Sequence, residues 1–107
     1  MINNNKVEDF INNFKGLYKK ETEEMYLFGL CYWFSFILSN EFKGIMYYDM
    51  VKNHFITKIK GHFYDIRGNI DKLYKNYKDI IKWEKYCKIE PLDSKRVVKY
   101  CKNLIKD

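Results

Sequence analysis

From Leu30 to Phe42 almost every residue is apolar or aromatic, and nothing else in the chain restricts its fold as much. A helix of that composition has no solvated face to offer, so neighbours must cover it on most sides. Gly29 precedes the run, and Ser39, Asn40 and Gly44 close it, which predicts a central helix over 30–42. A chain of 107 residues has room for one such centre, so a single domain over 1–107 is expected. Residues 1–5, with the polar tract Asn3-Asn4-Asn5, read as a disordered or frayed N-terminus.

Upstream, Val7, Phe10, Ile11, Phe14, Leu17 and Tyr18 recur at the spacing of an amphipathic helix over 7–18. Glu21 to Phe28 reads as a short second helical turn, with Thr22 as its N-cap. Downstream the period changes. Ile45 to Met50, Phe55 to Lys60 and His62 to Ile66 are short, rich in aromatic and β-branched residues, and parted by Asn53 or Gly61. They predict three strands, with Lys60-Gly61 as a hairpin tip. Ile70 to Lys88 reads as a helix that Pro91 ends, and Asp93 or Ser94 caps a last helix carrying Val97, Val98, Cys101, Leu104 and Ile105. The fold class is α+β: central N-terminal helices packed on a small antiparallel three-stranded sheet, followed by C-terminal helices.

The net charge of +6 invites a nucleic-acid reading, but all but Arg67 and Arg96 of the 20 basic residues are lysines. Specific phosphate and base readout favours arginine forks, so the charge is read mainly as solvation and only weakly as a nucleic-acid signal. The apolar run of Met25 to Leu38 is broken by Gly29 and Ser35 and falls short of the roughly 20 residues that cross a bilayer. No membrane partner is expected. Cys31, Cys87 and Cys101 are odd in number and lack a Cys-x-x-Cys spacing, which argues against a disulfide framework and a zinc site. A reducing, cytoplasmic location follows as an expectation.

Chemistry concentrates at three residues. Cys31 stands two residues after Gly29, at the start of the central helix, where the dipole and free N–H groups favour a thiolate and could hold an oxyanion. A two-residue tip at Lys60-Gly61 makes Ile59 face His62 and Ile56 face Asp65. His54 shares a face with Ile56, so His54 and Asp65 become diagonal neighbours. Lengthening the tip by one residue would separate them. His62, on the opposite face, is the competing histidine.

Gly29-Leu30-Cys31-Tyr32-Trp33-Phe34 resembles the Gly-x-Cys-[Trp/Tyr]-x-Phe element around the nucleophile of papain-like and transglutaminase-core cysteine enzymes. His54-Phe55, followed by Gly61-His62-Phe63-Tyr64-Asp65, is similar to the strands that carry their histidine and aspartate. The resemblance implies Cys31 as nucleophile, His54 as base and Asp65 as orienting acid, in an amide hydrolase, deamidase or transglutaminase-like acyl transfer. Leu30, Tyr32 and Tyr48 would then line the oxyanion site and cleft. Leu30 stands where the transglutaminase pattern has a polar residue, so the oxyanion would fall to the backbone. A protein or peptide substrate is expected, with no metal or organic cofactor. The alternative is a non-catalytic interaction protein of a phage or mobile element, such as a defence-system inhibitor, on the same scaffold.

Overall fold

A computed structural model describes residues 4–18, 30–74 and 76–103. Helix α1 spans Asn4–Tyr18 and α2 spans Cys31–Phe42. The strands β1 (Ile45–Asp49), β2 (His54–Ile59), β3 (His62–Asp65) and β4 (Gly68–Asn69) follow. Then come the short α3 (Asp71–Tyr74), β5 (Ile80–Lys82), α4 (Trp83–Ile89) and α5 (Pro91–Asn103). All strand pairs are antiparallel and the order is β4-β3-β2-β1-β5.

The α+β class holds, but the sheet has five strands, not three, and the helix expected over 70–88 is not one helix. Its middle becomes β5, which adds to the free edge of β1 through Asp49↔Ile80, Tyr48↔Ile81 and Tyr47↔Lys82. An open strand edge offers unpaired N–H and C=O groups, and Ile80-Ile81 answer it with better geometry than a helix spaced so irregularly. The hydroxyls of Tyr74 and Tyr77 both donate to Asp49, which brings the start of this stretch against the end of β1. Pro91 opens the last helix rather than only ending the one before it, as suits a first-turn position whose N–H would go unused. The turn expected over 21–28 lies outside the described residues. Of the expected frayed N-terminus, Asn4 and Asn5 already belong to α1.

The hairpin tip is a two-residue turn: Lys60 and Gly61 both take positive φ, 51° and 85°, and Ile59 pairs with His62. Gly61 adopts this conformation without strain. One face of the sheet packs on α1 and α2 through Val7, Ile11, Phe34, Leu38, Ile59, Tyr64 and Ile66. The same face continues through Cys31, Tyr48, Phe55, Trp83, Val97 and Cys101 under α4 and α5. Ile56, Ile70 and Tyr74 fill the other face. Helix α2 is thus central, though Phe36 on its outer side remains 46% exposed.

A buried polar clamp fixes α2 on β2. Ser35 Oγ donates to Ile56 O at 3.0 Å and lies 2.7 Å from Thr57 Oγ1, which donates back to Ser35 O at 3.1 Å. Each group finds a partner without water, so the helix is held in register against the strand. Ser35 is one helical turn beyond Cys31, and Thr57 is three residues beyond His54. The clamp therefore sets where the start of α2 meets the start of β2.

Candidate functional site

Cys31 is the first residue of α2, with Leu30 as N-cap residue at φ −102° and ψ 18°, a side chain that caps nothing. The cysteine is 6% exposed and packs in the cluster of Tyr48, Phe55 and Trp83. Trp33 Nε1 donates to Cys101 O at 3.0 Å, tying α5 to the same turn. His54, first residue of β2 and 5% exposed, is held by Asp65 at the end of β3, with Nε2 and Oδ2 2.9 Å apart. Its Nδ1 is fully covered and makes no hydrogen bond, and Cys31 is near enough to act on the ring electrostatically. Strand alternation puts His54 opposite the face that α2 covers. Cys31 and His54 both stand at element starts, one opening a helix and the other a strand.

Asp65 does more than orient a histidine. Its carboxylate also accepts Arg67 Nη2 at 2.5 Å, Arg67 Nε at 3.1 Å and the Arg67 backbone N–H at 2.8 Å. Burial would raise the Asp65 pKa, but the bonds from His54 and Arg67 outweigh it and hold the carboxyl below its ordinary value. Burial likewise disfavours a charged His54. The hydrogen bond to Asp65 and the neighbouring Cys31 overcome that, and the imidazole is pushed up to about 9.

The raised value has a consequence for stability. Because the folded-state pKa of His54 lies above its ordinary 6.5, the stabilisation is complete below pH 6.5 and is lost as pH climbs through 9. Urea unfolding is expected to show a decline of up to about 3 kcal/mol across that window, at 1.36 kcal/mol per unit. His54→Asn should flatten the decline; an unchanged slope would assign it to other groups.

The remaining sequence candidates fare differently. Tyr48 was expected to line a cleft, yet it is buried in the core, its hydroxyl donating to Asn53. The strand register points Tyr48 inward with Phe55, while Tyr47 lies half-buried on the other face. Tyr32 packs edge-on against Phe55 and Trp33 in the same cluster. Leu30 is 8% exposed and also belongs to the core. His62 is not beside Cys31: its Nδ1 lies 2.6 Å from Asp71 Oδ2 at the partly open end of the hairpin. Arg67 is the member that sequence reasoning missed. Asp65-x-Arg67 reads as a surface pair of little worth, but the carboxylate is 3% exposed, while the Arg67 side chain that reaches it remains 34% exposed.

Away from this cluster, Cys87, Pro91, Ser94, Lys95, Val98 and Lys99 line an almost wholly apolar groove of about 530 Å³ between α4 and α5. Asp93 of α5 accepts the Tyr86 hydroxyl of α4 across the two helices and, within α5, Arg96. Among the described residues, no helix is long and apolar enough to cross a membrane.

Comparison with known proteins overturns the resemblance drawn from Gly29 to Phe34. A family model described as Phage YunG-like protein matches residues 10–102. No curated protein and no solved structure matches the chain. The papain-like and transglutaminase-core assignment rested on a few residues around one helix start, and the acyl-transfer reading rested on it and gives way with it. Gly-x-Cys before an apolar helix meets a general need, a flexible residue ahead of a small buried one, which is why so short a pattern misleads. The burial of Cys31 and His54 points the same way, since a polypeptide amide would have to enter a packed cluster to reach them. What matches nearly the whole length is a phage family: the chain belongs to the Phage YunG-like proteins.

Proposed function

We propose that this protein is a phage-associated interaction protein that works by binding an acidic partner protein, without turnover of a substrate. The observation that carries this reading is the groove between α4 and α5. Its floor is apolar, and Lys95 and Lys99, one turn apart on α5, stand at its edge. Ile89 and Leu92, next to the groove in sequence, are 55% and 83% exposed. Apolar surface of this kind, beside lysines and on a chain of net charge +6, suits an amphipathic helix with acidic flanks. A nucleic-acid partner fits less well, because phosphate needs cations rather than an apolar floor. The three free cysteines support a reducing, cytoplasmic setting.

The test is a bait experiment in host extract, then calorimetry on the purified partner. Val98→Asp, and separately Lys95→Glu with Lys99→Glu, are each expected to weaken binding at least about tenfold, the charge pair through lost electrostatic complementarity. Added salt should weaken the wild type as well. Unchanged affinity in both variants, or binding that nuclease abolishes, would remove the acidic-partner reading.

A further inference from the structure

We propose that the recess beside the β2–β3 hairpin binds a mononucleotide, with its phosphate on two lysines and its base against Phe63. Lys58, Gly61, His62, Phe63, Asp71 and Lys72 line about 500 Å³ there. None of them belongs to the groove between α4 and α5, so the inference stands apart from the protein-partner reading. The volume is that of a small-ligand site.

The walls supply two kinds of contact. Lys58 and Phe63 are cross-strand partners and point to the same face of the sheet. The half-buried Phe63 ring meets Tyr47 edge to face, with centroids 5.4 Å apart. Lys58 Nζ lies 5.5 Å from the centre of the Phe63 ring and 5.9 Å from that of Tyr47. Among the described residues neither Lys58 nor Lys72 pairs with a carboxylate. Asp71, the carboxylate of the recess, is already committed. Its Oδ1 accepts the Phe63 N–H at 2.7 Å, and its Oδ2 lies 2.6 Å from His62 Nδ1. That contact orients the imidazole, whose side chain is 39% exposed, and leaves Nε2 for a ligand.

Two unpaired ammonium groups beside an oriented imidazole suit an anion, and phosphate oxygens accept charge-assisted bonds well. Phosphate alone has no use for the aromatic wall. A phosphate that draws Lys58 Nζ off the ring uncovers a π face, and a flat base stacks there. The cations gather at one recess rather than along a track, which favours a mononucleotide over a strand.

Calorimetry on the intact chain with the common ribonucleoside 5′-monophosphates, their nucleosides and inorganic phosphate separates the two halves of the ligand. At least one monophosphate is expected to bind about tenfold more tightly than its nucleoside or phosphate alone. Lys58→Gln with Lys72→Gln should weaken it about tenfold, and Phe63→Leu should weaken it several-fold by removing the stacking face. The two lysines stand at the surface, and urea unfolding checks that their variant keeps the wild-type fold. The proposal is overturned if no monophosphate shows saturable binding, if phosphate alone binds as tightly, or if the folded lysine variant keeps full affinity. An octanucleotide that binds more than about tenfold tighter than any monophosphate overturns it too, and assigns the face to single strands.

Discussion

Asp65→Ala is expected to lower the unfolding free energy by about 3–5 kcal/mol, the usual cost of removing one partner from a buried ion pair. The carboxylate serves two cations. Without it, His54 keeps neither nitrogen partnered and must sit neutral in the core, while Arg67 loses its fork of contacts. No water-filled space need open for this cost to appear, because the penalty is that of stranded polar groups rather than of a cavity. Asp65→Asn retains an acceptor but not the charge, and its stability should fall between the two. Chemical denaturation measures all three. A loss under about 1 kcal/mol for Asp65→Ala would mean that the cluster is solvated in solution and that the pair is worth no more than a surface bridge.

Asp49→Ala is expected to cost a similar amount, about 3–5 kcal/mol, for a different reason. Asp49 is 0% exposed and accepts four hydrogen bonds: the Tyr74 hydroxyl at 2.7 Å, the Tyr77 hydroxyl at 2.8 Å, and the N–H groups of Val51 and Lys52 at 3.1 and 3.0 Å. Burial acts to raise its pKa, but these donors prevail and hold the carboxyl below its ordinary value. One side chain thus closes the turn after β1 and draws in the segment before β5. Hydrogen exchange should separate this from a general loss of stability. The amides of Ile80 to Lys82 are expected to lose protection beyond the global change, while those of β2 and β3 should fall only with it. Equal loss in all three strands would show that Asp49 does not anchor β5.

Much of the architecture was legible along the chain because it is local. The apolar run after Gly29, the stripe of α1 and the Lys60-Gly61 tip each express a rule acting over a few residues, and the register between β2 and β3 follows from the tip alone. That register is also why the contact between His54 and Asp65 could be argued beforehand: strand parity is arithmetic once the turn length is known. The strand β5 was not legible. Its residues look undecided alone, and what makes them a strand is the open edge of β1 and the two tyrosines bound to Asp49, which lies well earlier in the sequence.

Residue types and spacing therefore determined an α+β domain with Cys31 opening its central helix and His54 held to Asp65. They did not determine how deep those groups lie. Burial is the sum of contacts from α4, α5 and the sheet, which lie far from Cys31 in sequence, and it turns an apparent open cleft into a packed cluster. The groove between α4 and α5 has the same origin, since Cys87 and Val98 line it together only once the two helices pack, with Tyr86 bonded to Asp93 across them. Local rules set which side chains point the same way, and long-range packing decides which of them water and partners can reach.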